Sequence, residues 1–514
     1  MKSPYLGLRG NRLVNFMIYT VVLPAYILLG YNNACLGGLV NLTSFLQTFP
    51  RIDTVTTKGG VEAENARIQG TVVALYTVGC MLGALTCFKL GDILGRIKTI
   101  ALGSIGTIIG SILLSSSFSL GQLIVGRLVL GFAFGCISST VPVWQAESSP
   151  AHHRGALVVL EGAFASIGLS ISQWIELGMF FVDDSSSWRF PLAVPIITAI
   201  WMLIFLPILP DSPRWLVKHG RIEEAKALMA ILEDLPEDDE KVAEDIRKME
   251  LSLAETGKGS FAALLTNKED RLLNRTLVAM FSTFSQQING IGVIGFYTET
   301  IFSQYVGVDN IVARVLSGSI YLWQLLCCFI TFYTIDRVGR RFLMMIGVIG
   351  MGTMFIIVAG TVSAAATNKA CGIVAGVCVF LIATFFGVGA LGINYLYGTE
   401  VAPLAYRVPI YALTTATLWA FNFLVVEVTP TGFTTIGYKF FIVFAVINLC
   451  LLLPIIYFFL PETMNRTLED MDAVFLTAKS PLDVVKVART MPSVTLQTME
   501  ELEKGHETTK DATV

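Results

Sequence analysis

The second half of the chain opens with a long apolar segment that contains the stretch Phe284 to Tyr297, FSQQINGIGVIGFY. Two adjacent amides, Gln286 and Gln287, and three glycines interrupt a run that is long enough to cross a bilayer. Polar side chains at that depth cost free energy unless they line a cavity or find partners, and glycines let a helix bend and a ligand approach its backbone. The stretch therefore indicates one wall of an aqueous binding site. Amides and glycines also pack membrane helices against each other, and this segment alone does not separate the two interpretations.

The composition places the chain among membrane proteins. Of its 514 residues, 54% are hydrophobic and only 15% are charged, and the mean hydropathy is +0.66. That is too apolar for a soluble globular protein of this size. All nine cysteines fall in or beside apolar segments, so neither a disulfide framework nor a metal-ligand spacing is readable. We predict no metal, no cofactor, no nucleic-acid partner and no enzymatic activity, since no nucleophile–base pair or phosphate-binding loop is readable.

A window of about 20 residues predicts twelve membrane spans in two sets of six. The first set covers residues 14–38, 69–90, 99–117, 121–144, 156–181 and 189–209, and the second covers 275–302, 314–335, 342–362, 371–397, 406–428 and 437–460. We therefore predict an all-α polytopic membrane protein. Its four parts are an N-terminal six-helix bundle (1–210), a cytoplasmic helical linker (211–274), a C-terminal six-helix bundle (275–460) and a cytoplasmic tail (461–514).

Lys and Arg mark one side of this bundle. They collect in the short loops after the second, fourth and eighth spans, whereas the loops near 118, 183, 306 and 431 carry none. The positive-inside rule then puts both termini in the cytoplasm, and we expect a monomer that contacts the lipid bilayer of the plasma membrane. Within the linker, the periodicity of 222–231 and 242–253 predicts two amphipathic helices under the bundle, with a solvated linker as the alternative.

Three elements that combine an acid with an arginine recur at the same places in both halves. They are Asp92 with Arg96, Glu147 with Arg154 and Asp211 with Arg214 in the first half, and Asp336 with Arg340 and Arg341, Glu400 with Arg407 and Glu462 with Arg466 in the second. A single basic loop would be only a topology anchor. The repetition favours a cytoplasmic gate, in which ion pairs join the two halves when the inner mouth is shut. Each exposed pair contributes below about 1 kcal/mol, so only a network would bias the equilibrium.

Taken together, several motifs resemble the sugar porter family of the major facilitator superfamily. They are GDILGR, RLVLGFAFG, QAESSPAHHRGA, PDSPRWL, QQINGIG followed by FY, DRVGRR and PETMNRTLEDMD, in the family's order and spacing over nearly the whole chain. The run Glu400 to Asn422 is most similar to fungal members. The resemblance implies two six-helix bundles, an intracellular helical domain and a monosaccharide-like cargo.

The resemblance also implies a substrate site. The matching positions are Gln173 in the fifth span, Gln286 and Gln287 in the seventh and Asn422 in the eleventh, with Trp419 beside it. Amides donate and accept hydrogen bonds together, and an aromatic face packs against the C–H surface of a sugar ring. Other positions depart from the family: Tyr321 and Tyr395 replace an asparagine and a tryptophan, and Gly162 and Gly292 stand where amides are expected.

The coupling position departs as well. Proton-coupled relatives carry an aspartate where this chain has Asn32, opposite an arginine that is present as Arg127. An amide does not titrate in the physiological range. Arg127 is therefore as well explained by a structural role as by a role in proton coupling. Glu161 is then the remaining candidate for a proton-titrating group. We expect three further glutamates, Glu176, Glu299 and Glu427, to lie toward the outer ends of their spans and to be solvated.

These observations predict a transporter of a sugar or a sugar-like polyhydroxylated small molecule that works by alternating access, either facilitative or linked to protons. An exporter of a sugar-like fungal metabolite is one alternative. A sensor that binds sugar without transporting it is another, although the roughly 50 residues after Pro461 form a short tail for a signalling protein.

Overall fold

The computed structural model describes residues 4–148, 154–256, 264, 271–365, 368–403, 406–464, 466 and 468–491. Within these ranges the chain is helical with short connections and contains no strand. The prediction of an all-α protein is therefore confirmed.

The first half of the chain has six long helices, a short helix at Thr43–Thr48 between the first two, and three shorter helices in the linker. The long helices are α1 (Gly10–Leu39), α2 (Gly60–Leu94), α3 (Arg96–Ser115), α4 (Leu120–Ser148), α5 (Arg154–Met179) and α6 (Ser186–Ile208). The shorter helices follow in the linker as α7 (Pro213–Lys218), α8 (Ile222–Glu233) and α9 (Glu240–Thr256). The two amphipathic helices predicted there correspond to α8 and α9.

The second half repeats the long helices with two interruptions. Its helices are α10 (Leu272–Ile288), α11 (Ile291–Thr300), α12 (Asn310–Val338), α13 (Arg340–Ala365), α14 (Lys369–Gly389), α15 (Ile393–Val401), α16 (Arg407–Ile436) and α17 (Lys439–Phe459). The tail adds α18 (Leu468–Thr477) and α19 (Asp483–Thr490).

Ten helices in the described part of the chain are long and apolar enough to cross a membrane, namely α1, α2, α3, α4, α6, α12, α13, α14, α16 and α17. Two more predicted spans correspond to other helices. α5 (Arg154–Met179) has the length of a span and corresponds to the fifth predicted span. The seventh predicted span is divided between α10 and α11.

The division occurs inside the stretch Phe284 to Tyr297. Gly290 has a φ of +96°, which disfavours any residue with a side chain, and a Cβ there would lie 2.8 Å from the rings of Phe355 and Phe444. The break leaves the Asn289 carbonyl without a helical partner. Asn448 of α17 supplies one, because its Nδ2 donates to that carbonyl at 2.8 Å. The chain therefore uses the freedom of a glycine to bend in this segment.

The two halves meet along pairs of long helices. α2 packs against α16, and α5 packs against α12, so that each half offers two helices to the other. α11 also packs against α1. The break at Gly290 therefore places a short, independently oriented helix directly at the junction.

The bundle has two ends, because consecutive long helices are antiparallel. The linker face is the end that carries α7 to α9 and the tight connections at Gly95 and Gly339. The opposite face is the other end, which carries the connection between α3 and α4 and the start of α14 at Lys369.

Candidate functional site

A cluster of amides lies where α10, α15 and α16 meet near the junction of the halves. Asn422 Nδ2 donates to Gln287 Oε1 at 2.7 Å, and Gln286 Nε2 donates to the Leu391 carbonyl, just before α15, at 3.3 Å. The three amide side chains are buried. Gln286, Gln287 and Asn422, which the sequence placed in one site, are therefore brought together by the fold.

Trp419 connects this amide cluster to the N-terminal half. It lies one helical turn before Asn422 on α16, and its ring makes edge contacts at 6.3 Å with Tyr76 of α2 and Phe134 of α4. Both of those rings are fully buried. The site therefore has an aromatic wall from one half and an amide wall from the other.

Three polar atoms of this cluster lack a hydrogen-bond partner among the described residues. They are Gln286 Oε1, Asn422 Oδ1 and the indole nitrogen Trp419 Nε1. A buried polar atom without a partner costs about 1–3 kcal/mol, and native proteins contain few of them. Two acceptors and one donor at the junction of the halves are the groups that a hydroxylated ligand would satisfy.

The other predicted substrate residues are placed differently. Gln173 Nε2 lies 3.5 Å from Glu176 Oε2, so its amide belongs to a cluster nearer the opposite face. The Tyr321 hydroxyl lies 3.0 Å from both Thr298 Oγ1 and the Gly295 carbonyl, so it braces α11. Tyr395 lies within α15, and its side chain is outside the described part of the structure.

Arg127 is surrounded by groups that hold it in place, a backbone carbonyl and an aromatic ring. Its Nη2 donates to the Val73 carbonyl at 2.6 Å, and its guanidinium lies 4.8 Å from the centre of the Tyr76 ring. Among the described side chains no carboxylate pairs with it. Asn32 is buried beside Tyr76, and neither Asn32 Nδ2 nor the Tyr76 hydroxyl has a hydrogen-bond partner within the described ranges. Glu161 is partly buried and faces Tyr26 of α1.

The expectation that the other three glutamates are solvated is wrong for two of them. Glu176 and Glu299 are 2% and 5% exposed. Arg314 of α12, which is also buried, pairs with Glu299 at 2.6 Å. Glu427 is partly buried and accepts a hydrogen bond from Thr71 of α2 at 2.7 Å. Helices of the opposite half cover these carboxylates, which a hydropathy window does not detect.

Arg314 was missed by the sequence reasoning. It stands at the first position of a predicted span, where a cation looks like an ordinary helix boundary. Its signal would have been its position away from the main basic loops, because the loops near 183 and 306 carry no Lys or Arg. Asn448, an amide inside the last predicted span, was also missed, because one amide hardly lowers the mean hydropathy of a long apolar segment.

On the linker face, the three repeated elements of the first half form one cluster. Arg96 makes a double hydrogen bond with Glu147, at 3.0 Å for both pairs of atoms. Asp211 Oδ1 accepts from the Arg96 backbone N–H at 2.9 Å and so caps the start of α3. Asp92 instead pairs with Lys218 of α7 at 2.6 Å, at the solvent-exposed edge.

The second half repeats this arrangement. Arg340 pairs with Glu400 at 3.1 Å and with Asp336 at 2.9 Å. Glu462 caps the start of α13, because its two carboxylate oxygens accept from the backbone N–H groups of Arg340 and Arg341 at 2.9 and 3.1 Å. The carboxylates at 147 and 400 therefore have the same role, as do those at 211 and 462.

The predicted gate, in which ion pairs join the two halves when the inner mouth is shut, stays a prediction. In this conformation the ion pairs of Arg96 and Arg340 link helices of the same half. The physical reason is proximity: each arginine starts a helix whose neighbours in its own half supply carboxylates within 4 Å. The side chains of Arg154 and Arg407 lie outside the described part. A connection across the halves in another conformation stays a prediction.

Comparison with known proteins assigns most of the chain to one family. The family model described as sugar (and other) transporter matches residues 17–475. The chain is 36% identical to the MFS-type transporter oryC of Aspergillus oryzae, over 97% of this chain and 93% of that protein. It is 32% identical to the sugar transporter STL1 of Saccharomyces cerevisiae, over 97% of this chain and 88% of that one.

The fold is similar to that of a solved transporter. The structure of the proton:xylose symporter XylE bound to 6-bromo-6-deoxy-D-glucose matches with a TM-score of 0.76, over 91% of this chain and 100% of that chain. The sequence identity is 21%, so the likeness concerns the fold. It supports an arrangement of twelve spans in two bundles for the helices described above.

Proposed function

This chain belongs to the sugar (and other) transporter family and is a membrane transporter, and from that premise we propose that its cargo is a polyhydroxylated small molecule. Gln286, Gln287, Asn422 and Trp419 bind the cargo at the junction of the halves. The two bundles rock about this site and open it to one face at a time.

The observation that carries this proposal is the set of partnerless polar atoms. A hydroxyl group both donates and accepts, so neighbouring hydroxyls of one cargo molecule can donate to Gln286 Oε1 and Asn422 Oδ1 and accept from Trp419 Nε1. The indole face meanwhile offers apolar surface to the carbon skeleton. A purely apolar cargo would leave these three atoms without partners and would bind poorly.

Two glycines reduce the number of polar groups that line the site. We therefore expect the cargo to make fewer hydrogen bonds here than a hexose makes in a site fully lined by amides. A Cβ at Gly162 would lie 3.1 Å from the Leu391 side chain, and one at Gly292 would lie 3.2 Å from Val425. Apolar side chains therefore approach both positions closely. The resemblance expects amides there, and their loss removes partners for hydroxyls. We propose that linear polyols, pentoses and quinate-like acids compete with hexoses for this site.

We also propose that the linker face is cytoplasmic and that the protein resides in the plasma membrane. The proposal rests on the distribution of Lys and Arg among the loops. Ser119 is exposed on the opposite face, and Arg247 is exposed in the linker. A membrane-impermeant thiol reagent applied to intact cells should label Ser119→Cys at once and Arg247→Cys only after permeabilisation. The reverse order would refute the orientation.

The cargo is tested with purified protein in liposomes. Uptake of labelled hexose, pentose, linear polyol and quinate-like acid is measured, first for the wild type and then for Gln286→Ala and Asn422→Ala. Each variant removes a ligand hydrogen bond, so the KM of the best cargo should rise between about fivefold and 150-fold, as expected for a loss of about 1–3 kcal/mol.

The matched control is Gln122→Ala. This amide lies near the opposite face and bonds the Leu113 carbonyl at 3.2 Å, away from the cluster. Its KM should stay within about twofold of the wild type. Folded protein that transports no member of the panel would overturn the proposed cargo, and so would an equal rise in KM for all three variants.

A further inference from the structure

The opposite face contains a second buried polar cluster that the transport site does not use. Glu176 of α5, Glu299 of α11 and Arg314 of α12 meet there beside Gly38 of α1. A Cβ at Gly38 would collide with Glu176 Oε2 and approach Glu299 Oε2, so both carboxylates face the same glycine. α1 and α5 belong to one half, and α11 and α12 belong to the other.

The partners within the cluster are unevenly distributed. Arg314 Nη2 pairs with Glu299 Oε1 at 2.6 Å, and Arg314 Nη1 lies 3.5 Å from the Gly38 carbonyl. Glu176 accepts from Ser172 Oγ at 2.8 Å and lies 3.5 Å from Gln173 Nε2. These two donors are neutral. Arg314 Nε is buried and has no partner among the described residues.

The charges do not balance if both acids are ionised. The remaining titratable groups that face Glu176 are Tyr31 and Cys35 of α1 and Tyr321 of α12, and none of them is a cation. The neighbours of Glu299 are Arg314 and the neutral Asn41. One guanidinium therefore faces two carboxylates away from water, and like charges that share such a site do not both ionise. A single proton on either acid restores neutrality.

We propose that Glu176 and Glu299 form a proton-binding site and that closure of the opposite face takes up one proton. The inference rests on the proposed alternating access. When the two halves separate at this face, the carboxylates part and meet water, and each can ionise alone. When the halves close, one carboxylate pairs with Arg314 and the other holds the proton.

Linkage fixes the direction of the pH effect. A conformation that binds an extra proton is favoured by low pH, and for one proton the ratio of closed to open forms changes by at most about tenfold per pH unit. Acidification on this face therefore drives it shut. Glutamine is neutral at any pH, so one glutamine at either position should replace the proton and keep the face closed.

The experiment measures the separation of the halves directly. Spin labels are placed at Ser119→Cys and Lys369→Cys, which are exposed on the opposite face in different halves. The background carries Cys371→Ser and Cys450→Ser, because the other seven cysteines are buried. Distances in nanodiscs are followed between about pH 5 and 9. No cargo is needed for this measurement.

In the wild type, the population with the closed distance should grow as the pH falls. E176Q and E299Q should each hold that population high at every pH. The double variant E176Q/E299Q leaves Arg314 as a buried cation without a carboxylate, so its closed population should fall below that of both single variants. E64Q removes an exposed glutamate from the same face and should follow the wild type.

Single variants that follow the wild-type pH curve would overturn the proposal. So would a double variant that stays as closed as the single ones, or an E64Q variant that also loses the pH response. Failure of the proposed cargo looks different: the label distances would still respond to pH while liposomes transported no member of the panel.

Discussion

The two faces of the bundle use similar polar residues for opposite purposes. At the opposite face and toward the middle, contacts cross between the halves: Thr71 bonds Glu427, Ser170 Oγ lies 3.4 Å from the Gly318 carbonyl, and Arg314 approaches Gly38. At the linker face, the ion pairs of the repeated elements stay within one half. Contacts across the halves hold a face shut, whereas contacts within a half stiffen that half. In this conformation the two halves are therefore closed against each other at the opposite face.

The largest effect should come from disturbing a close backbone approach across the halves. A Cβ at Gly37 of α1 would overlap the Phe296 carbonyl oxygen of α11. Overpacking costs about 1–3 kcal/mol, so Gly37→Ala should lower the closed population between about fivefold and 150-fold and reduce transport accordingly. The distance between labels at Ser119→Cys and Lys369→Cys and the rate of liposome uptake measure both effects.

The control for that substitution is Gly360→Ala. This glycine also lies in a long helix, α13, but a Cβ there meets no atom within 4 Å. Its label distances and uptake should match the wild type. If Gly37→Ala behaved like the control, the close approach of α1 and α11 would not control this face.

Removing a linker-face ion pair should have a smaller effect, and it should change the stability of the protein without changing the closure of the opposite face. Glu147→Gln and Glu400→Gln each weaken a charge-assisted bond to a largely buried arginine, which should lower the free energy of unfolding by about 1–3 kcal/mol. Because these pairs stay within a half, the label distances at the opposite face should not change. Thermal unfolding of the purified variants measures the first effect. If Glu147→Gln or Glu400→Gln shifted the label distances as much as Gly37→Ala does, the two faces would not differ in their effect on closure.

The smallest effect belongs to the exposed pair on the linker face. Asp92 and Lys218 are 42% and 49% exposed, so solvent screens their attraction. Asp92→Asn should change the unfolding free energy by less than about 1 kcal/mol and leave uptake unchanged. Comparing its unfolding temperature with that of Glu147→Gln distinguishes the contribution of the exposed ion pair from that of the buried one in the same cluster. Equal losses in the two variants would show that burial is not what distinguishes them.

Much of the amide cluster was predictable from the sequence. Gln286 and Gln287 occur in an apolar segment, and the resemblance added Asn422 and Trp419. Gln173 was assigned to the same site because it also lies in an apolar span, yet the structure pairs it with Glu176 nearer the opposite face. The rise of a helix places a residue at a depth, but it does not say which neighbour that residue faces.

The sequence by itself determined the twelve spans, the basic side of the bundle, the glycines that allow a bend in the seventh span and the repeat of acids and arginines in both halves. These features depend on local hydropathy, backbone freedom and charge, which a short window of residues contains. Only the tertiary structure decided that Glu176 and Glu299 are buried with one arginine and that Arg96 and Arg340 find their carboxylates within their own halves. Partners and burial depend on how helices distant in the chain pack together, and no single segment contains that information.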